Sequence, residues 1–172
     1  GYLLPECRHC YYQKVKYGIS HSVPFPGMFT VINTLLQNSI MGMNLSDIHP
    51  SLPSGIIDIQ EGRLKSLPIF GADDCFISGR FDILVRMDDG SYNLIDFKIT
   101  PPEEEKIQQK YGSQLHAYKF ALENPDNGKK PIKISRMGVI SVKPEEMKVI
   151  KGKVVFTAMP TWHEVNIDMD GF

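Results

Sequence analysis

Asp82, Asp96 and Lys98 are the residues whose types and spacing could do chemistry. Carboxylate oxygens are hard ligands, and two of them facing one another suit a small divalent cation such as Mg²⁺ or Mn²⁺. Whether they face one another depends on the strands that carry them. Asp82 lies in Ile77-Ser78-Gly79-Arg80-Phe81-Asp82-Ile83-Leu84-Val85-Arg86-Met87, and Asp96 and Lys98 lie in Ser91-Tyr92-Asn93-Leu94-Ile95-Asp96-Phe97-Lys98. Asp88-Asp89-Gly90 joins the two runs.

Two turns compete at that junction. A two-residue Asp89-Gly90 turn pairs Asp88 with Ser91, whereas a three-residue loop with Gly90 in the left-handed conformation pairs Met87 with Ser91. A one-residue slip moves every side chain of a strand to the other face, so polarity decides. In the three-residue register, Phe81, Ile83 and Val85 oppose Phe97, Ile95 and Asn93 on a nearly apolar face. The other face carries Arg80, Asp82, Leu84 and Arg86 against Lys98, Asp96, Leu94 and Tyr92. The rival register sets Phe81 against Lys98 and Asp82 against Phe97, which mixes the faces.

In the favoured register Asp82 and Asp96 are direct cross-strand neighbours, with side-chain roots roughly 5 Å apart. Lys98 shares their face. Like charges so placed repel, and a shared cation would remove that cost. The competing reading is an exposed strand face on which the carboxylates pair with Arg80 and Lys98.

The following segment opens with Pro101-Pro102-Glu103-Glu104-Glu105, a helix start, and is expected to run to about Glu123, closed by Pro125-Asp126-Asn127-Gly128. Gln114 and Tyr118 share one face of it, and Ile107, Tyr111 and Leu115 form a neighbouring apolar stripe. Taken alone, Gln114 and Tyr118 also fit a hydrogen-bonded edge of the core, and His116 reads as structural or exposed.

Elsewhere, helices are expected over Glu6 to Tyr17, ended by Gly18, and over about Met28 to Ile40. Residues 42–68, rich in Pro, Gly and Ser, read as a loop with one short strand around Ile56 to Ile59. Strands are expected over Ile132 to Val142, Lys153 to Met159 and Trp162 to Ile167. This order makes an α/β mixed sheet flanked by helices the natural architecture.

The chain has 172 residues with 42% hydrophobic composition, which suits a single domain over 1–172. It begins without methionine and has only five residues after its last expected strand, as if trimmed at both ends. A formal net charge of -1 gives no global basic field, so any DNA contact must be local. Lysines cluster at 129, 130 and 133, and again at 148, 151 and 153, each cluster also readable as a solvated face. Neither a spanning apolar run nor a signal peptide is visible, so a soluble cytoplasmic protein is the expectation. Three cysteines, Cys7, Cys10 and Cys75, are too few for a disulfide framework and leave reduced thiols or a metal site as options.

Gly79-Arg80-Phe81-Asp82, Ile95-Asp96-Phe97-Lys98 and Gln114-Leu115-His116-Ala117-Tyr118 together resemble the GxxD, (D/E)xK and QxxxY motifs of RecB-type PD-(D/E)XK nucleases, the group that includes the CRISPR-associated adaptation exonucleases. Leu4-Pro5-Glu6-Cys7-Arg8-His9-Cys10 is similar to that group's cysteine-bearing first helix. The resemblance implies a restriction-endonuclease-like fold and a metal-dependent deoxyribonuclease of DNA repair, recombination or defence. It implies that Asp82 and Asp96 bind Mg²⁺ or Mn²⁺ with the backbone carbonyl of Phe97. Lys98 would orient or help deprotonate the attacking water, and Gln114 and Tyr118 would steady the site or contact DNA.

Two departures accompany the likeness. Relatives often present a His or acid from an earlier helix, but Met28 to Ile40 has none; Asn33 is the nearest polar residue, and Glu61 would need its loop to fold over the site. Some relatives hold an iron-sulfur cluster with an N-terminal cysteine and a C-terminal cysteine group, and Cys7 and Cys10 could also be half of a zinc site, yet no cysteine follows Cys75. The alternatives are therefore an inactive nuclease-fold module that binds DNA or a protein partner, or a cluster-binding structural protein. A homo-oligomer is also compatible with the sequence.

Overall fold

The computed structural model describes residues 7–19, 27–71, 75–99, 107–126 and 128–167. The expected helix opening at Pro101 to Glu105 lies outside the described residues, as do Glu6, Asn127 and Asp168. Contacts divide the chain into two compact units, Gly1–Ile32 and Asn33–Phe172.

In the first unit, helix α1 spans Arg8–Tyr17. The Cys7 sulfur caps its N-terminus by accepting from Cys10 N–H at 3.2 Å. Gly18, at φ 68°, ends it in the left-handed conformation, which costs glycine nothing because it has no Cβ. The Cys7 and Cys10 sulfurs lie side by side across this first turn.

Helix α2 (Gly27–Ile40) leads into a short helix α3 (Leu45–Ile48). Then come β1 (Ile56–Lys65), β2 (Ser78–Arg86), β3 (Tyr92–Lys98), helix α4 (Ile107–Glu123), β4 (Ile134–Ile150) and β5 (Lys153–Val165). The five strands form one sheet in the order β1-β2-β3-β4-β5. Only the β3–β4 pairing is parallel, as it must be where α4 makes the crossover between them. This is the mixed, helix-flanked α/β sheet of the restriction-endonuclease-like fold.

Alternation along the central strands supplies both faces of the core. Leu84, Leu94, Met137 and Val139 face α4, whose Tyr111 and Leu115 complete that layer. Ile83, Val85, Ile95 and Ile140 face the other way, toward Ile40 and Leu45. Leu115 is 1% exposed, and cutting such a residue to alanine costs about 2–5 kcal/mol.

Three boundaries differ from expectation. The loop expected over 42–68 contains α3, and its short strand extends through Lys65. The polar run Gln60-Glu61-Gly62-Arg63 hid it, because β1 is an edge strand and turns over at Glu61, where φ is 53°. The register sets Glu61 opposite Asp82, and β2 turns over there too. Phe81 therefore packs with Leu64 and Leu122 on the α4 side, not with Ile83 and Val85 as alternation predicted. Finally, β4 runs on past Val142 through a bulge at Pro144/Glu146, and the two expected strands after Lys153 are one. Pro160 is tolerated within β5 because that strand is an edge.

Candidate metal centre

The β2–β3 junction adopts the three-residue register. Met87 N–H donates to Ser91 O at 2.9 Å, Gly90 N–H to Met87 O at 3.0 Å, and Gly90 sits at φ 80°. Asp89 Oδ1 locks the loop by accepting from Ser91 N–H at 2.9 Å and Ser91 Oγ at 2.6 Å. Leu84 and Ile83 then pair with Leu94 and Ile95, and the ladder stops.

That stop builds the site. The hydrogen-bonded pairs of this ladder alternate, so the next N–H in sequence, that of Phe97, would ordinarily go to the Phe81 carbonyl. It goes instead to Asp82 Oδ2 at 2.8 Å. The Asp82 carboxylate thus sits in the gap where β2 leaves β3. In extended backbone a residue's N–H and C=O point to the same edge, so the Phe97 carbonyl also faces that gap, while its ring is buried on the opposite side from α4.

Asp96 borders the same gap and is 4% exposed. Its Oδ2 is paired with Lys98 Nζ at 2.8 Å. Burial pushes the Asp96 carboxyl up to about 6; Lys98 works against the rise, and the adjacent Asp82 carboxylate adds to it. For Lys98 burial disfavours the charge, but Asp96 and, more weakly, Asp82 outweigh it and the amine is raised above its ordinary value. Two carboxylates and an ammonium therefore share one pocket. Arg80 does not take part: it pairs with Glu61, through Glu61 Oε2 at 2.5 Å and the Glu61 backbone carbonyl at 3.2 Å. The reading in which Arg80 neutralises Asp82 loses its partner, because Glu61, on the strand beside Asp82, takes the Arg80 guanidinium.

Helix α4 covers this pocket. Gln114 Nε2 donates to the Tyr118 hydroxyl at 3.1 Å, and Gln114 Oε1 is buried without a partner among the described residues. Tyr118 lies on Gly79: a Cβ there would stand 2.8 Å from Tyr118 Cε1. One motif glycine is thus the seat of another motif's tyrosine. Tyr111, which the sequence reading placed only in an apolar stripe, brings its ring centroid to 5.7 Å from Lys98 Nζ. Its signal was its place one turn before Gln114. His116 bonds back to Gly112 O at 2.8 Å, a structural role.

A family profile described as the PD-(D/E)XK nuclease superfamily matches residues 46–165. The chain belongs to the PD-(D/E)XK nuclease superfamily. No curated protein matches it. The match takes in the splayed hairpin, α4 and the five strands of the sheet described above.

The residues present fit a divalent cation. Asp96 is a buried carboxylate crowded by Asp82, and the Phe97 carbonyl faces the same gap, so hard oxygen donors converge there. The described residues contain no cluster of three His, Cys, Asp or Glu side chains suited to a metal, so water or phosphate oxygens would fill the remaining positions, as Mg²⁺ prefers. The sulfurs of Cys7 and Cys10 are engaged with one another.

Proposed function

We propose that this protein is an Mg²⁺- or Mn²⁺-dependent deoxyribonuclease of the RecB type. The observation that carries the reading is the gap between β2 and β3, where Asp82, buried Asp96, Lys98 and the Phe97 carbonyl converge. Asp82 and Asp96, with the Phe97 carbonyl, are the ligands. A bound cation would polarise a phosphoryl oxygen and lower the pKa of a coordinated water. Lys98, held by Asp96 and the Tyr111 ring, orients that water and faces the charge that develops on phosphate. Gln114 and Tyr118 fix the wall of the pocket, and the unpartnered Gln114 oxygen is available to a substrate or water hydrogen. Repair, recombination or defence, including the role of a CRISPR-associated adaptation exonuclease, are the settings such an activity serves.

End-labelled single- and double-stranded DNA incubated with Mg²⁺ or Mn²⁺ tests this. Wild type should cleave, chelation should stop it, and Asp96→Ala should be inactive. No cleavage of either DNA form with either metal would overturn the reading. It would favour instead a non-cutting module that binds DNA or a protein partner, to which the scarcity of acidic ligands also points.

A further inference from the structure

The row of polar side chains does not end at Lys98. In the parallel β3–β4 register Lys98 neighbours Ser141, and Asp96 neighbours Val139. Val139 in turn pairs with His163 on β5. Val139 faces α4, so alternation puts Ser141 and His163 on the face that carries Asp96 and Lys98. Ser141 Oγ and His163 Nε2 lie 2.9 Å apart. Ser141 is buried and His163 half-buried, so the pair forms a fixed shoulder beside the amine.

Beyond this shoulder β4 and β5 continue as a two-stranded ribbon, past the point where β3 ends. A turn at Lys151 and Gly152, both at positive φ (49° and 75°), closes it. The register after the bulge sorts the ribbon into two unlike sides. One side is apolar throughout, including Met147, Val149, Val154, Phe156, Ala158 and Pro160. The other side continues the row with Thr161, Lys143, Glu146, Thr157, Lys148 and Lys153, interspersed with Met159, Val155 and Ile150. Lys148 pairs with Glu146 at 2.8 Å, but Lys143 and Lys153 have no carboxylate partner among the described residues, and both are exposed. In a chain of net charge -1, these cations lie in line with the pocket.

We propose that this side of the β4–β5 ribbon is the track along which the phosphate backbone of bound DNA leaves the site. The bonded Ser141–His163 pair is the shoulder past which the backbone runs, and Lys143 and Lys153 hold the phosphates beyond it. The inference rests on the deoxyribonuclease reading. Charge complementarity and continuity with Lys98 choose DNA as the occupant of this side.

The test is equilibrium DNA binding across a salt series, in a Lys98→Ala background that does not cut. Lys143→Ala with Lys153→Ala should remove two phosphate contacts, so that the affinity lost between about 50 and about 200 mM salt shrinks by roughly tenfold. Lys143→Arg with Lys153→Arg should restore the slope, and Lys130→Ala, at the other end of β4, should not alter it. Unchanged slope and affinity in the double alanine variant, with wild type still cleaving, would overturn the track alone. A wild type that neither binds nor cleaves DNA would instead remove the reading on which it rests.

Discussion

At the residue scale, the pocket separates groups that bind from one that acts in the transition state. Lys98→Ala should lower single-turnover cleavage by roughly 10²–10³-fold, the size of a lost charge-stabilising donor. Metal and DNA affinity should stay within a few-fold of wild type, as quench or anisotropy titrations would report; equal cleavage rates would refute the role. Asp96 makes a second prediction, for protein freed of metal. Its folded carboxyl titrates near 6, above the ordinary value, so its protonation favours folding. That contribution is complete below the unfolded pKa of about 3.9 and is lost as pH rises through about 6. Relative to Asp96→Asn, metal-free wild type should lose stability between pH 4 and pH 7, measured as the difference in Tm. A difference independent of pH would contradict the buried, crowded acid.

The elements explain why some of this was legible and some was not. The hairpin register followed from polarity alone, because only one loop length kept Ile83, Val85 and Ile95 on a shared apolar face. The splay beyond Ile83 did not follow, since Asp82 replaces a ladder carbonyl through its side chain and no periodicity encodes that. Phe81 was misplaced for the same reason: the turnover at Glu61 and Asp82 breaks alternation. In β5, Pro160 looked like a break because a central strand could not hold it, and only the sheet order makes it an edge residue. The Lys151-Gly152 turn lacks the usual Asn-Gly signal, so the long ribbon stayed hidden, and Ser141 and His163 with it. Helix α4 gives a test of its seating. Gly79→Ala puts a methyl group 2.8 Å from Tyr118 Cε1, and should cost about 1–3 kcal/mol in denaturant unfolding by overpacking. Gly79→Ala in a Tyr118→Leu background should cost markedly less; an equal cost would show that Tyr118 is not what glycine accommodates.

For the whole molecule, the sheet is a frame that brings residues distant in sequence to one gap: β2 and β3 supply the acids, α4 the cover, β4 and β5 the continuation. No helix among the described residues is long and apolar enough to cross a membrane. Because the metal-free pocket holds neighbouring carboxylates, a divalent cation should stabilise the entire fold. At about a hundred times its Kd, Mn²⁺ should add about 2.7 kcal/mol to unfolding, seen as a rise in Tm that Asp82→Ala abolishes. The most direct measurement is anomalous diffraction from crystals soaked in Mn²⁺. A single strong peak should lie about 2.0–2.3 Å from carboxylate oxygens of both Asp82 and Asp96 and from the Phe97 carbonyl. A peak bound elsewhere, or none at saturating Mn²⁺, would contradict the account.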